Sequence, residues 1–195
     1  MQRPGFESDK LDLILLNLSS GKKQNLTADW DRSFASFSFS VDSQSIYLNG
    51  NHLGTKVIWQ LDIASLKHQQ VTVGGYASSF SLSKDRLIYL KDNLKHPSQI
   101  YSADLDGSNA KMIASHNKDL LSNIALGDYE QFSFKGWNNE KVYGYVVKPA
   151  NFDPKKKYPL AFLIHGGPQG SFGDHFHYRW NPQTYTGQRL CGGDD

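Results

Sequence analysis

The residues of this chain best suited to chemistry are His165, Gly166 and Gly167, which follow directly on the apolar run Leu160-Ala161-Phe162-Leu163-Ile164. A buried strand ending in His-Gly-Gly can turn backbone N–H groups toward a reacting carbonyl, because glycine lets the backbone approach closely. Donors of that kind stabilise the oxyanion of a tetrahedral intermediate, and removing one typically costs about 3 to 4 kcal/mol. The chemistry indicated is acyl transfer, with His165, Gly166 and Gly167 as the oxyanion-hole region. An ordinary strand-to-loop turn is the plain alternative, since His165-Gly166-Gly167-Pro168 by itself would serve either purpose.

Acyl transfer also needs a nucleophile, and no triad residue can be assigned. Gly-x-Ser-x-Gly occurs nowhere, and Gly170-Ser171-Phe172-Gly173 has the wrong spacing. His165 is not a triad histidine, which in such hydrolases follows the nucleophile and the acid in chain order, so its expected role is to hold the turn. His175 and His177 with Asp174 offer metal-type donors, but His-x-His lacks a third and fourth ligand at recognisable spacing. No metal is expected there, and a loop packed over the active site is the preferred reading. Arg179 is the substrate-binding candidate, able to pair with a substrate carboxylate or with an acidic neighbour, while Trp180 reads as core. Acyl transfer of this type uses only side chains and backbone donors, so no cofactor is expected.

The elements that must position these residues change character along the chain. From residue 11 to about 125, short runs rich in Phe, Tyr, Ile, Val and Trp alternate with polar turns, which argues for antiparallel sheet. Three echoes appear: Leu15-Leu16-Asn17-Leu18-Ser19-Ser20-Gly21, Trp59-Gln60-Leu61-Asp62-Ile63-Ala64-Ser65 and Tyr101-Ser102-Ala103-Asp104-Leu105-Asp106-Gly107. They recur at roughly 40 to 45 residues, the period of a four-stranded propeller blade. A second marker, Phe39 to Tyr47, returns as Phe80 to Tyr89 in the same order. An evenly spaced β-sandwich is the alternative. After Gly127, the strands Gln131-Phe132-Ser133-Phe134 and Val142-Tyr143-Gly144-Tyr145-Val146-Val147 flank a turn at Trp137-Asn138-Asn139 and predict a hairpin. A polar, Pro-containing loop then leads to a predicted strand over 158–164, whose glycine-rich exit suggests that an α/β domain begins there.

Composition narrows the partners. The 21 basic and 19 acidic residues nearly cancel and are interspersed, so no nucleic acid is expected. The basic cluster Lys155-Lys156-Lys157 lies among turn-forming residues and reads as a solvated loop. No apolar run approaches a membrane span, so no membrane partner is expected. Met1-Gln2-Arg3-Pro4-Gly5 lacks the apolar stretch of a secretory signal, which leaves the compartment open. Asn17-Leu18-Ser19 and Asn25-Leu26-Thr27 fit the glycosylation sequon, a short pattern that also arises by chance.

Taken together, the blade-like repeats, the hairpin ending in Lys148-Pro149, and Lys157-Tyr158-Pro159 before His165-Gly166-Gly167-Pro168 resemble the prolyl oligopeptidase family of serine peptidases. Gln169-Gly170-Ser171-Phe172-Gly173-Asp174 and Tyr178-Arg179-Trp180-Asn181-Pro182-Gln183 resemble its dipeptidyl peptidase V and acylaminoacyl peptidase branches. The likeness is weak across the repeats and specific from 158 to 183. It implies a propeller that caps an α/β-hydrolase domain and admits short peptides, with the backbone of Gly166 and Gly167 shaping the oxyanion hole. The expected fold is a β-propeller portion of about three blades over 1–127, then the N-terminal part of an α/β-hydrolase domain over 128–195. The expected function is that of a piece of a serine-type exopeptidase, inactive by itself because the family's Ser, Asp and His fall beyond Asp195. One permitted codon set for residues 189–195, shifted by one base, encodes an apolar strand of the family's kind, so a frameshift after Gln188 is the expected origin of this tail. A propeller-only binding module is the rival reading. A lipase or carboxylesterase is disfavoured by the upstream repeats and by Pro168 in place of another glycine.

Overall fold

The computed structural model describes residues 3–167 and 170–187. Strands β1 (Ile14–Leu16) and β2 (Lys23–Asn25) form an antiparallel pair of their own. Two four-stranded antiparallel units follow. The first contains β3 (Phe34–Phe39), β4 (Ser45–His52), β5 (Thr55–Asp62) and β6 (His68–Gln70). The second contains β7 (Tyr76–Leu82), β8 (Arg86–Asn93), β9 (His96–Asp104) and β10 (Lys111–Ala114). Within each unit consecutive strands are neighbours, the meander that short turns favour. A single parallel bridge, Lys56 to Tyr76, joins the units. Helix α1 (Lys118–Ser122) leads to the hairpin of β11 (Tyr129–Lys135) and β12 (Lys141–Val147), and α2 (Pro182–Gly187) follows later in the chain.

Alternation in β4 and β5 explains why the units stack. Side chains one residue apart point to opposite faces of a strand, and here both faces are apolar. Ile46, Leu48, Val57, Trp59 and Leu61 enter one core with Leu26, against which Leu13, Leu15, Trp30 and Phe34 pack. Tyr47 and Ile58 enter a second core with Val71, Ala77, Leu87, Tyr89 and Ala103 of the next unit. The first unit is thus covered on both sides, and each aliphatic side chain taken out of water contributes about 1.5 to 3 kcal/mol. Two polar side chains inside the seam, Asn49 and Tyr47, are hydrogen-bonded. Asn49 donates through Nδ2 to the carbonyls of Ala77 and Ser78, both at 3.1 Å, and accepts at Oδ1 from the amide and hydroxyl of Ser36. Tyr47 donates its hydroxyl to Leu105 O at 3.0 Å.

The repeat markers occupy equivalent places. Trp59 and Tyr101 lie in the third strand of their units and Leu15 lies in β1, each before a polar turn, while the second marker spans the turn between first and second strands of each unit. Where about three blades were expected over 1–127, residues 3–127 hold two four-stranded units and one two-stranded pair, and the strand order β10-β9-β8-β7-β5-β4-β3 is an open path. The predicted hairpin is present, with Asn138 and Asn139 at φ of 55° and 60° in its turn, a conformation asparagine tolerates better than most residues. The predicted strand over 158–164 is a correction: these residues join no sheet. A strand requires a neighbour that takes its backbone bonds, and no described strand pairs with this segment. Leu160, Phe162 and Ile164 are accordingly 82%, 77% and 75% exposed. The frameshifted tail expected over 189–195 lies outside the described residues.

Candidate functional site

The site is built around one tight turn. Leu53 and Gly54 connect β4 to β5 with φ of 48° and 81°, the mirror-image type whose twist suits a two-residue hairpin. Glycine is needed at the second position, where an added Cβ would lie 2.9 Å from side-chain atoms of both Gln131 and Tyr145. The β11–β12 hairpin docks on this turn. Gln131 donates through Nε2 to Leu53 O, and the Tyr145 hydroxyl donates to Gly54 O at 3.3 Å. Burial pushes the Tyr145 phenol up to about 12, helped by the negative charge of Asp174. The Tyr129 phenol is also pushed well above its ordinary value, first by burial and then by its hydrogen bond to Asp174.

Residues 173–176 dock on the same end of the strands. Gly173 has a φ of 53° and sits so close to Gly54 O that an added Cβ would lie 2.6 Å from it. The next amide, that of Asp174, donates to Gly54 O at 2.7 Å. The Asp174 carboxylate is only 7% exposed and accepts from Gly75 N and Leu94 N, both at 3.0 Å. Asp92, 3% exposed, takes the neighbouring residues. Its Oδ1 accepts from His175 Nδ1 at 2.7 Å and from Phe176 N at 2.9 Å, and its Oδ2 accepts from the Ser98 hydroxyl at 3.0 Å. The His175 ring also stacks on Tyr76, with centroids 3.9 Å apart. Two buried carboxylates thus accept bonds from donors on several elements, the condition under which such burial is tolerated. Deleting one would leave buried N–H groups unmatched, at a cost of about 1 to 3 kcal/mol for each.

A third anchor lies at α2. The Gln183 side chain pairs with the Gly127 backbone in both directions: Gly127 N donates to Oε1, and Nε2 donates to Gly127 O, each at 2.9 Å. An added Cβ at Gly127 would sit 1.6 Å from Lys148 O, so this residue marks a close crossing of the chain.

The sequence candidates fall around this framework. His165, Gly166 and Gly167 are exposed. His165 Nδ1 is 2.6 Å from Gly166 O, and its ring meets Phe172 edge-on with centroids 6.1 Å apart. The Cβ position of Gly166 has open space around it. Arg179 is exposed, with its guanidinium 5.1 Å from the centre of the Trp180 ring and no carboxylate within ion-pair distance among the described residues. It borders a cavity of about 310 Å³ lined also by Asp92, Ser98, His175, His177 and Tyr178. The described residues contain no hydrogen bond, ion pair or ring contact joining Arg179 to the His165–Gly167 turn. His175 and Asp174, weighed above as metal donors, are used instead as the docking contacts just described. Sequence reasoning missed Asp92 as the acceptor for His175 and Phe176. It also missed the partners of Asp174, which lie 99 and 80 residues away, beyond the reach of any local spacing.

Comparison with known proteins places this geometry. No family model matches the chain. A Pyrococcus horikoshii acylaminoacyl peptidase superposes with a TM-score of 0.71 at 23% identity, over 86% of this chain and 25% of that one, which defines the fold as the same kind of multi-unit β arrangement. Dipeptidyl-peptidase 5 of Schizosaccharomyces pombe is 31% identical over 193 residues, 95% of this chain and 27% of that protein. Dipeptidyl-peptidase 5 of Aspergillus fumigatus is 32% identical over 195 residues, 96% of this chain and again 27% of the relative. These relatives support a place in the prolyl oligopeptidase family, and the chain spans about a quarter of their length.

Proposed function

We propose that this chain is the propeller-to-hydrolase segment of a serine-type exopeptidase that cleaves dipeptides or acylated residues from short peptides. The observation that carries this reading is the likeness to dipeptidyl-peptidase 5, 31 to 32% identical over 95 to 96% of the chain. In this reading the β3–β6 and β7–β10 units are propeller blades and β1–β2 is the outer pair of another, so residues 1–127 belong to the propeller. Residues 128–195 begin the hydrolase domain. The backbone of Gly166 and Gly167 contributes to an oxyanion hole, whose second donor in such folds comes from the residue after the nucleophile. Arg179, which has no carboxylate within ion-pair distance among the described residues, binds a carboxylate of the peptide from beside its cavity. No cofactor enters the chemistry, which rests on side chains and backbone donors.

The chain contains no Gly-x-Ser-x-Gly, so by itself it turns over no peptide. The test is release of a chromophore from a dipeptide substrate by the 195-residue chain and by a version extended through a downstream nucleophile elbow. Turnover only by the extended protein, blocked by a serine-reactive phosphonate, is the expected result. Equal, phosphonate-sensitive turnover by both would refute the assignment.

A further inference from the structure

We propose that Asp174 is a positioning residue that fixes the downstream arm of the His165–Gly167 turn onto the seam between the two four-stranded units. This rests on the reading of Gly166 and Gly167 as part of an oxyanion hole, but its test does not depend on activity. The carboxylate touches three parts of the molecule. Gly75 precedes β7, Leu94 sits in the β8–β9 turn and Tyr129 opens the β11–β12 hairpin, and all three donate to it. Its own amide, with Gly173 pressed against the same atom, holds Gly54 O of the first unit. One residue therefore grips both units and the hairpin at once. On the other side the arm reaches the turn through Phe172, which packs edge-on against His165, and Gly170, whose Cβ position lies 3.8 Å from Gly166 O. Asp92 reinforces the grip through His175 and Phe176.

The coupling follows from charge. A carboxylate this buried, with no cation in ion-pair contact among the described residues, is stable only while its donors stay assembled around it. Separation of the two units would break the bond from Asp174 N to Gly54 O of the first unit, and release of the arm would also leave Gly75 and Leu94 N–H unmatched. Seam closure and placement of the turn are one equilibrium.

The experiment compares the 195-residue chain with Asp174→Ala, Asp174→Asn and Tyr129→Phe by amide exchange and by ¹⁵N relaxation. Asp174→Ala is expected to speed exchange at least ~10-fold at Gly75 and Leu94. The same gain is expected at Phe176 and Gly127, which bond to Asp92 and Gln183 rather than to Asp174. The heteronuclear NOE at Gly166, Gly167 and Phe172 should fall, while the amides of Leu48 and Leu87 in the cores keep their rates. Asp174→Asn, which retains one acceptor oxygen, and Tyr129→Phe, which keeps the carboxylate, should produce smaller changes in the same direction, and they decide the matter should Asp174→Ala not fold. The proposal is overturned if Gly75 and Leu94 alone deprotect with Phe176 and Gly127 unchanged. It is equally overturned if Leu48 and Leu87 accelerate by the same factor, or if the wild-type turn already shows the NOE of a free chain.

Discussion

Strand β4 carries the apolar run Ile46-Tyr47-Leu48 and the later segment carries the longer run Leu160-Ala161-Phe162-Leu163-Ile164, yet they end in opposite circumstances. In β4 the neighbours β3 and β5 take the backbone bonds, and Ile46, Tyr47 and Leu48 are almost fully buried in two different cores. In the second run no described strand takes the backbone bonds, and its alternate side chains face water. The contrast teaches that apolar alternation states a demand for neighbours, and that a strand forms only where other segments supply both a ladder and a cover.

The sharpest way to break this contrast is to truncate one side chain on each side of it. Leu48→Ala should destabilise the chain by about 2 to 5 kcal/mol, the range for a buried leucine in a core that cannot collapse around the cavity. Phe162→Ala should stay within about 0.5 kcal/mol, as exposed positions do. Urea midpoints measure both, and equal losses would mean that residues 158–164 are packed after all.

A smaller effect separates the docked hairpin from the strands beneath it. The phenols of Tyr129 and Tyr145 titrate in the folded chain above the ordinary value near 10, Tyr145 at about 12. A group whose folded pKa is raised holds its proton more tightly when folded, so its contribution is complete below pH 10 and declines as pH rises from 10 toward 12. Tyr47 and Tyr89, raised by burial in the seam, act in the same sense. Stability should therefore fall between pH 10 and 12, and the double variant Tyr129→Phe, Tyr145→Phe should show a shallower fall over that window. A urea midpoint that is flat across it would contradict the burial assigned to these rings.

Much of the first 115 residues was legible because the signal there is local. Alternating apolar residues and polar turns fixed the strands, and the spacing of Trp59 and Tyr101 fixed the repeat, since each unit closes its own ladder within about 40 residues. The hairpin was legible for the same reason. Residues 158–164 were misread because a buried strand and an unpartnered apolar segment share one pattern. The docking network was invisible for a different cause. Asp174 and Gln183 act on backbone groups of distant glycines and a leucine, and Asp92 takes the distant Phe176 amide; a backbone amide carries no residue-type signature. His165, Gly166 and Gly167 were singled out by type alone, and their exposed turn depends on Asp174 for its place.

The central claim is that the stacked four-stranded units hold paired, buried ladders while residues 158–164 lack one, and amide exchange of the 195-residue chain tests it directly. The account predicts protection of at least about 10³-fold for the amides of Tyr47, Leu48 and Leu61, and no more than about 10-fold for those of Leu160, Phe162 and Ile164. Protection of 158–164 comparable to that of β4 would contradict it, because those amides would then have found the ladder that this structure withholds.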